Sequence, residues 1–344
     1  MTTWEADNKI PINTHIMNVL IVLNTHLPVV TYGGTERVVW YLAHELQKKG
    51  HKVTFLAAAG SVCPFAECLP YLDNEPIDRQ IPEYIDVVHF QNSTLGYNGK
   101  KPYIVTYHGN FLHDIDRNAV FVSKNHAKRN NSESYVHNGL DWDDYGPLNL
   151  SDTRGYFHFL GKAAWRVKNL KGAIDIVKAL PKEKLYVLGG SRLNFKMGFR
   201  FTLSPRIKFQ GMVGGKEKIT LLQHSRGLIF PVRWHEPFGL AITESLYCGA
   251  PVFGTTYGSL PELIPSEVGF LTNSKKAMIE HIVNEYDYSP KRCHEYAKEM
   301  FNSRLMAERY ITKYEMVMNG NYLNNIQPHP QPNESRERKD FPFE

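Results

Sequence analysis

A short apolar run followed by a glycine turn constrains the fold of this chain more than any other feature. Residues 18–24 (NVLIVLN) are almost wholly apolar, as are strands that a parallel sheet buries on both faces. The turn lies at residues 32–36 (YGGTE), and apolar residues at helical spacing follow it as far as Gly50. Together with the next apolar run, residues 53–58, this segment predicts a βαβ unit.

The same pattern restarts in the second half of the chain. A strand at 156–160, an amphipathic helix at 169–180 and a strand at 185–188 predict a second α/β unit after a polar linker at 141–154. Further strands are predicted at 86–90, 104–108, 119–122, 135–137, 207–209, 227–230 and 251–253, with helices at 216–224 and 238–248. We therefore predict an N-terminal domain at 17–145 and a C-terminal domain at 155–318 that ends in two helices, with an extension at 1–16 and a disordered tail at 320–344.

Charge and cysteine content narrow the class of function. Residues 1–150 contain 12 basic and 16 acidic side chains, whereas the rest of the chain contains 28 and 19. The basic second half indicates an anionic ligand there, with a solvated basic surface as the alternative. Nucleic acid is not expected, because no dense basic cluster or known binding module is present. The four cysteines form no CxxC pair, and no secretory signal is visible, which favours a cytoplasmic protein, with peripheral membrane contact left open.

Two carboxylates separated by seven residues are the strongest functional signal. Residues 236–244 (EPFGLAITE) place Pro237 where a helix can begin, so the backbone N–H groups of Phe238, Gly239 and Leu240 can face an anion. Glu244 lies about two turns further along the helix, where its carboxylate can accept hydrogen bonds from vicinal ribose hydroxyls. The alternative is an exposed helix with two solvated glutamates.

This segment resembles the donor site of glycosyltransferase family 4. The resemblance rests on residues 231–244 (PVRWHEPFGLAITE), 248–252 (CGAPV) and 258–262 (GSLPE), and it extends over roughly residues 17–318. It implies a GT-B fold, in which two Rossmann-like domains face each other across a cleft and C-terminal helices cross back to the first domain. It also implies that Glu236 lies beside the transferred sugar, that Glu244 holds the ribose and that transfer proceeds with retention. A nucleotide-diphosphate sugar is the expected donor, and a glycan, a lipid or a small molecule is the expected acceptor.

The loop at 161–169 (GKAAWRVKN) is the predicted diphosphate site. It follows a strand and precedes a helix, where cations can neutralise the charge that develops on a leaving diphosphate. The resemblance assigns this role to Lys168. The second charge comes from Lys162, which stands where the family has arginine, or from Arg166. Lys171 is a second possible register for Lys168, and a basic surface loop is the structural alternative.

Glycines and one histidine complete the predicted site. Gly33 and Gly34 allow the backbone to approach the diphosphate, although a plain turn would use them too. His108 ends a predicted strand and, by resemblance, contacts the sugar; a packed histidine is the alternative. Gly189 ends a strand of the second domain where the family binds its nucleotide. The missing GxGxxG motif argues against a nicotinamide enzyme.

No metal is expected to be required, because cations and N–H groups can stabilise the leaving diphosphate. Asp114 and Asp116 form an Asp-x-Asp pair, but it has no counterpart in the family. Residues 191–208 hold five basic side chains and no acid, which indicates contact with phosphate or an anionic membrane, or a solvated loop. Two other functions stay open: a sugar-nucleotide epimerase or hydrolase on the same fold, and a non-catalytic nucleotide-sugar-binding protein.

Overall fold

The computed structural model describes residues 15–28, 33–110, 113–194, 200–284, 286–331 and 340–344. The predicted extension at 1–16 lies almost wholly outside these residues. The elements of the first half are β1 (Asn18–Leu23), α1 (Gly34–Lys48), β2 (Lys52–Ala57), β3 (Glu67–Pro70), β4 (Val87–Gln91), β5 (Tyr103–Tyr107), β6 (Ala119–Phe121) and α2 (Lys124–Arg129). Those of the second half are β7 (Tyr156–Leu160), α3 (Leu170–Ala179), β8 (Leu185–Leu188), β9 (Leu193–Asn194), β10 (Arg200–Phe201), β11 (Ile207–Gly211), α4 (Gly215–Gln223), β12 (Ser225–Phe230), α5 (Leu240–Tyr247), β13 (Val252–Gly254), α6 (Leu260–Leu263), β14 (Gly269–Leu271), α7 (Lys275–Asn284), α8 (Pro290–Met300) and α9 (Ser303–Met318).

Both halves build the same sheet. In the described chain the first sheet has the strand order β3-β2-β1-β4-β5-β6, and the second has β11-β8-β7-β12-β13-β14. The strands of both sheets pair in parallel. Counted within its own sheet, each order is the doubly wound one, in which the strand order reverses between the first and the fourth strand. Ligands bind beyond the carboxyl ends of the strands at this switch point, which lies between β1 and β4 and again between β7 and β12.

Helix α9 returns from the second half and packs against α1 and β5 of the first. A buried polar network fixes this contact. His89 lies 2.8 Å from the Tyr314 hydroxyl through Nδ1 and 2.7 Å from Thr106 Oγ1 through Nε2, and Thr106 lies 3.0 Å from the Tyr310 hydroxyl. Each group finds a partner away from water, so the network specifies where α9 packs. The predicted crossing to the first domain is confirmed for α9, whereas α8 packs on α5 of the second half.

Three regions differ from the sequence prediction. The linker is not solvated along its whole length, because Trp142 is buried and its ring stacks 4.1 Å from that of Tyr247. Residues 135–137 contribute one isolated bridge, between Tyr135 and Phe121, rather than a strand. The short strands β3 and β14 and the helices α2 and α7 were not predicted, since each is brief or weakly periodic.

The tail is also not disordered where the structure describes it. Around residues 320–331, Asn324 donates from its side-chain amide to the carbonyls of Arg117 and Ala119, and the Gln331 amide donates to Arg129 O. Residues 340–344 lie on the second half instead, where the amide of Phe341 donates to Arg233 O at 2.9 Å. The polar composition of this tail misled the prediction, because its backbone and side-chain groups bond to the folded domains rather than to water.

Candidate active site

A cavity of about 410 Å³ lies between the two halves at these switch points. The second half lines it with the loop that follows β7 and the loop that follows β12; the first half adds the turn after β1 and the end of β5. The predicted site residues on its wall are Gly33, Gly34, His108, Lys162, Lys168, Glu236, Phe238, Gly239 and Leu240. Arg166, Gly189 and Glu244 are not among the residues that line it.

Lys168 and Glu236 form an ion pair on the cavity wall. The Lys168 ammonium lies 2.5 Å from Glu236 Oε2, and Trp234 donates its indole N–H to the same oxygen at 2.8 Å. Both side chains of the pair are largely buried, at 13% and 7% exposed. Among the described residues, Glu236 Oε1 takes part in no hydrogen bond, so it can accept one from a ligand. The ammonium has three N–H donors and can hold Glu236 and an anion together.

The register of the Lys168 loop follows from its neighbour Asn169. Asn169 adopts a left-handed backbone, with φ at 54°, and its side chain caps α3 by accepting from Gly172 N at 3.0 Å. The same side chain donates to Pro231 O at 2.9 Å, which joins this loop to the one that carries Glu236. Lys171 instead points to solvent, at 81% exposed, and pairs with Asp175. The alternative register that would use Lys171 is therefore wrong, because α3 has already begun at that point.

Lys162 and Arg166 belong to the same loop but face different ways. The Lys162 ammonium is exposed and lies 5.1 Å from the Trp165 ring, on the cavity wall. Arg166 points away from the cavity; its guanidinium lies 3.5 Å from Asp340 and is 73% exposed. Within the short 3₁₀ turn at Arg166–Lys168, successive side chains face different ways, so Arg166 points away while Lys168 reaches the cavity. The structure thus places Lys162 at the cavity and Arg166 behind it.

Two helices begin at the cavity. Helix α5 starts at Leu240, two to three residues later than predicted, because Gly239 precedes it with a left-handed φ of 94°. Helix α1 starts at Gly34, where a side-chain carbon would lie 3.5 Å from Leu240 Cδ1 of the other half. The unpaired N–H groups of a helix start attract anions, so the two halves present this feature to the same space.

The loop 258–262 supports Glu236 from behind. Gly258 has a φ of 66°, and a Cβ there would lie 2.2 Å from Glu236 N, so only glycine fits. Ser259 N donates to Glu236 O at 2.9 Å, and its hydroxyl donates to Phe238 O at 2.6 Å. Glu262 then accepts from the amides of Lys124 and Asn125 at the start of α2, and from His137 at 2.7 Å. Burial alone would raise its pKa, but these hydrogen bonds lower the pKa of Glu262. This loop therefore connects the Glu236 backbone to the first half.

His108 is neutral at the cavity. Its Nε2 lies 2.7 Å from Gln91 Oε1, which only accepts hydrogen bonds, so Nε2 carries the proton, and Nδ1 keeps a lone pair to which none of the described residues donates. Its backbone N–H donates to Asn92 Oδ1 at 2.9 Å. Burial lowers the pKa of His108 to about 4. The ring can therefore exchange hydrogen bonds with a sugar hydroxyl, while the imidazolium form is disfavoured near neutral pH.

Glu244 lies in a buried ion cluster rather than on the cavity wall. Its Oε1 accepts from Arg37 of α1 at 2.8 Å, from Lys218 of α4 and from the hydroxyl of Tyr145 in the linker. Burial alone would raise its pKa, but the charges of Arg37 and Lys218 lower the pKa of Glu244 to about 2. The ribose role stays a prediction, and only Oε2, which takes part in no hydrogen bond with the described residues, remains open for it. The same carboxylate joins four segments of the chain.

Gly189 and two arginines of the basic stretch that follows it take part in packing and in backbone hydrogen bonds within the second half. Gly189 has a φ of 120°, and a Cβ there would lie 2.1 Å from Gly161 O, so this glycine allows the ends of β7 and β8 to pack. Arg192 donates to the carbonyls of Thr202 and Ile207, and Arg206 donates to carbonyls near the C-terminal end of α3. Residues 195–199 of this stretch lie outside the described chain. These two arginines therefore bind backbone carbonyls rather than the phosphate or membrane that the sequence indicated.

Three further side chains at the site were not predicted. Trp234 binds Glu236, and its position within the 231–244 motif could have identified it. Asn138 is buried on the cavity wall, and its Oδ1 has no hydrogen-bond partner among the described residues. Gln91 orients His108 from the end of β4, and the switch-point rule could have found it, because β4 is the strand next to β1.

The described residues contain no cluster of three or more histidine, cysteine or acidic side chains that could hold a metal ion. Asp116, from the Asp-x-Asp pair, accepts from Asn118 N and from the Tyr103 hydroxyl. None of the helices in the described ranges is long and apolar enough to cross a membrane.

Comparison with protein families gives two adjacent matches. Residues 32–142 match the model of Glycosyltransferase Family 4, and residues 154–287 match the model of Glycosyl transferases group 1. The gap between them falls in the linker and begins inside the 3₁₀ turn at Trp142–Tyr145. Each match therefore covers one of the two α/β halves.

Three curated proteins illustrate the sequence similarity. A GDP-mannose-dependent α-(1-6)-phosphatidylinositol dimannoside mannosyltransferase of Mycobacterium tuberculosis is 28% identical over 129 residues, which are 36% of this chain and 34% of that protein. The O-antigen chain mannosyltransferase B of Escherichia coli is 28% identical over 38% of this chain and 36% of its own length. D-rhamnosyltransferase WbpZ of Pseudomonas aeruginosa is 24% identical over 75% and 71%. The chain thus spans only about a third of the length of the first two.

Solved structures share the fold over a longer range. AviGT4, a glycosyltransferase involved in avilamycin A biosynthesis, aligns with a TM-score of 0.71 at 18% identity, covering 88% of this chain and 98% of its own. Anabaena HepE, solved with UDP and glucose, aligns with a TM-score of 0.64 at 15% identity, covering 87% and 99%. At these identities the comparison shows a common fold.

Proposed function

This chain belongs to glycosyltransferase family 4 and has the GT-B fold, and from that premise we propose that it transfers a sugar from a nucleotide-diphosphate donor to a glycan or lipid-linked acceptor. The observation on which the proposal depends is the Lys168–Glu236 pair on the wall of a cavity between two doubly wound domains. A cation, two helix starts and a carboxylate with one open oxygen meet there. This set of groups suits a sugar diphosphate.

Each of these groups has its own role in the proposed reaction. As the bond between sugar C1 and the diphosphate oxygen breaks, the electron pair moves to that oxygen, and Lys168 and Lys162 stabilise the charge. The N–H groups at the starts of α1 and α5 add to this stabilisation. Glu236 Oε1 and His108 Nδ1 can accept hydrogen bonds from the sugar hydroxyls and orient the ring. The acceptor hydroxyl then bonds to C1 on the face that the diphosphate leaves, and its proton passes to the leaving phosphate, which gives retention.

The relatives support a choice of donor and acceptor class to test. The mycobacterial relative is named for GDP-mannose and for a phosphatidylinositol-linked acceptor, and HepE was solved with UDP-glucose. We therefore propose a hexose donor, with GDP-mannose tested first and UDP-glucose second. Contact with a membrane that presents such an acceptor stays a prediction.

A binding screen followed by product analysis tests this function. The donor should raise the unfolding temperature of the native chain, since it binds only the folded state. Incubation with that donor and a panel of glycan and glycolipid acceptors should then give a glycoside with the anomeric configuration of the donor. Release of free sugar without acceptor, or an epimerised donor, would show a hydrolase or an epimerase. Binding without turnover across the panel would show a sensor.

We further propose that transfer needs no divalent metal. Lys168, Lys162 and the two helix starts supply the positive charge that a metal would otherwise bring to the leaving diphosphate. Turnover in excess EDTA should match turnover without it. Activity that disappears with EDTA and returns with magnesium or manganese would contradict the proposal.

A further inference from the structure

The segment Asp340–Glu344 lies against the back of the donor site. The backbone of Phe341 pairs with that of Arg233, with Phe341 N donating to Arg233 O at 2.9 Å, and Arg233 Nε donates to Phe341 O at 2.6 Å. Arg233 immediately precedes Trp234, whose indole holds Glu236. Trp234 lines the cavity, whereas Arg233 and His235 contact the segment.

The same segment contacts the loop that carries Lys168. Asp340 lies between two guanidinium groups, 3.5 Å from Arg166 and 3.7 Å from Arg233. Arg166 belongs to the 3₁₀ turn that ends at Lys168. Arg233 N also donates to Val167 O at 2.7 Å. The loops that carry Lys168 and Glu236 are therefore connected in two ways. One is the backbone hydrogen bond from Arg233 to Val167, and the other is the pair of ion contacts that Asp340 makes.

Phe341 reaches the third loop of the site. Its ring lies 4.6 Å from the ring of His235 and 4.8 Å from that of Tyr257, whose hydroxyl donates to Pro342 O at 2.7 Å. Tyr257 precedes Gly258, the glycine on which the Glu236 backbone packs. One short segment therefore touches the loops of Lys168, Glu236 and Gly258, each from the side opposite the cavity.

We propose that Asp340 and Phe341 are positioning residues of the donor site, which keep the Lys168 and Glu236 loops in the register that their ion pair requires. Neither residue lines the cavity, so neither contacts the donor. The inference rests on the proposed function for its kinetic consequence. It also assigns a role to Arg166, which the diphosphate interpretation left unused. Phe341 makes most of the contacts, whereas Asp340 acts through two longer, partly exposed ion pairs, which contribute less.

Kinetics and hydrogen exchange on the full chain test this inference. Phe341→Ala should lower kcat by roughly 10- to 100-fold, the scale known for a small misplacement of catalytic groups, and change the donor KM by less than about threefold. Asp340→Asn should lower kcat by only about twofold to threefold. Phe341→Tyr keeps the ring and should restore kcat. The control is Ile326→Ala in the other part of the tail, where the side chain is 63% exposed, and it should behave as wild type.

Amide exchange separates a failure of this inference from a failure of the proposed function. Without any substrate, Phe341→Ala should speed exchange of the Arg233 amide by roughly tenfold or more, and speed it around Lys168, while the unfolding temperature stays near that of Ile326→Ala. If wild type transfers no sugar, the proposed function fails and exchange still decides the positioning. Exchange equal to that of the control would overturn the inference. Faster exchange with an unchanged kcat would overturn it too.

Discussion

The two glutamates of the E-x7-E segment have different surroundings, although only seven residues separate them. Glu236 lies on the cavity wall in a pair with Lys168, and both of its protein hydrogen bonds fall on Oε2. Glu244 is buried between the domains, and three partners from three other segments meet at its Oε1. The first arrangement leaves an oxygen and a cation facing a ligand. In the second arrangement, the carboxylate holds three other segments of the chain together.

The difference teaches that one motif serves two purposes. A carboxylate that helps to hold a donor must stay accessible, so it contributes little to joining the domains. A carboxylate surrounded by Arg37 and Lys218 stabilises the folded chain, because removing it deprives the buried Lys218 and the partly exposed Arg37 of this partner. We therefore expect substitutions at the first site to affect turnover, and those at the second to affect folding.

The largest expected effect is on the stability of the Glu244 cluster. Glu244→Ala leaves Arg37 and Lys218 unpaired, which should lower the free energy of unfolding by about 3–5 kcal/mol in urea titrations. The matched control is Glu308→Ala on α9, which removes two much more exposed pairs, at 2.8 Å with Lys49 just after α1 and at 3.2 Å with Arg304. That change should cost about 1 kcal/mol or less. Equal losses in the two variants would end the distinction between a buried and an accessible carboxylate.

Loss of Lys168 should act on turnover instead. Charge develops on the diphosphate as the glycosidic bond breaks, so Lys168 interacts more strongly with the transition state than with the intact donor. Lys168→Ala should lower kcat by roughly 10²–10³ while donor binding weakens far less. Steady-state kinetics at saturating donor and calorimetry with the nucleoside diphosphate measure the two quantities. A variant with full turnover, or one that loses only binding, would contradict the assignment.

Acid should reveal the Glu244 cluster. Its pKa is lowered to about 2 in the folded chain, against about 4.5 when unfolded, so its contribution is complete above pH 5 and falls as pH decreases from 4.5 to 2. The shift corresponds to about 3 kcal/mol. The difference in unfolding free energy between wild type and Glu244→Gln should therefore shrink as pH falls from 6 to 3. A difference that stays constant over this range would show that the ion cluster does not stabilise the fold.

Much of the fold follows from local sequence patterns. The strand at 156–160 was predicted with its exact bounds, and the α3 helix to within one residue at each end, because buried apolar runs and helical spacing are local signals. Contacts across the chain are different. No local signal tells that Arg37 will meet Glu244, since 207 residues separate them and both are common solvated side chains.

The candidate site divides in the same way. Lys168 and Glu236 lie in motifs with a family resemblance, and the structure brings them together. Arg166 stands in the same loop, but a single 3₁₀ turn directs it toward Asp340, in a tail whose composition predicted disorder. Sequence patterns place residues on loops at the ends of strands. They do not tell which side chains of a loop face the cavity, because that depends on backbone angles set by neighbours such as Asn169.

The smallest expected effect separates the lysines of the diphosphate loop. Lys162 lines the cavity but is exposed, and its ammonium is 5.1 Å from the Trp165 ring, so water screens its field at the diphosphate. Lys162→Ala should therefore lower kcat by only about threefold to tenfold, well below the effect at Lys168.

Lys171 is the matched control, since it belongs to the next turn and pairs with Asp175 in solvent. Lys171→Ala should leave kcat unchanged, because an exposed pair on a helix surface contributes little. Higher salt should reduce the Lys162 effect further, since mobile ions weaken exposed charges more than the largely buried Lys168. The opposite result, in which Lys162→Ala abolishes turnover and Lys168→Ala keeps it, would contradict this assignment. Lys168 would then only stabilise its loop, and Glu236 would have a structural role like that of Glu244.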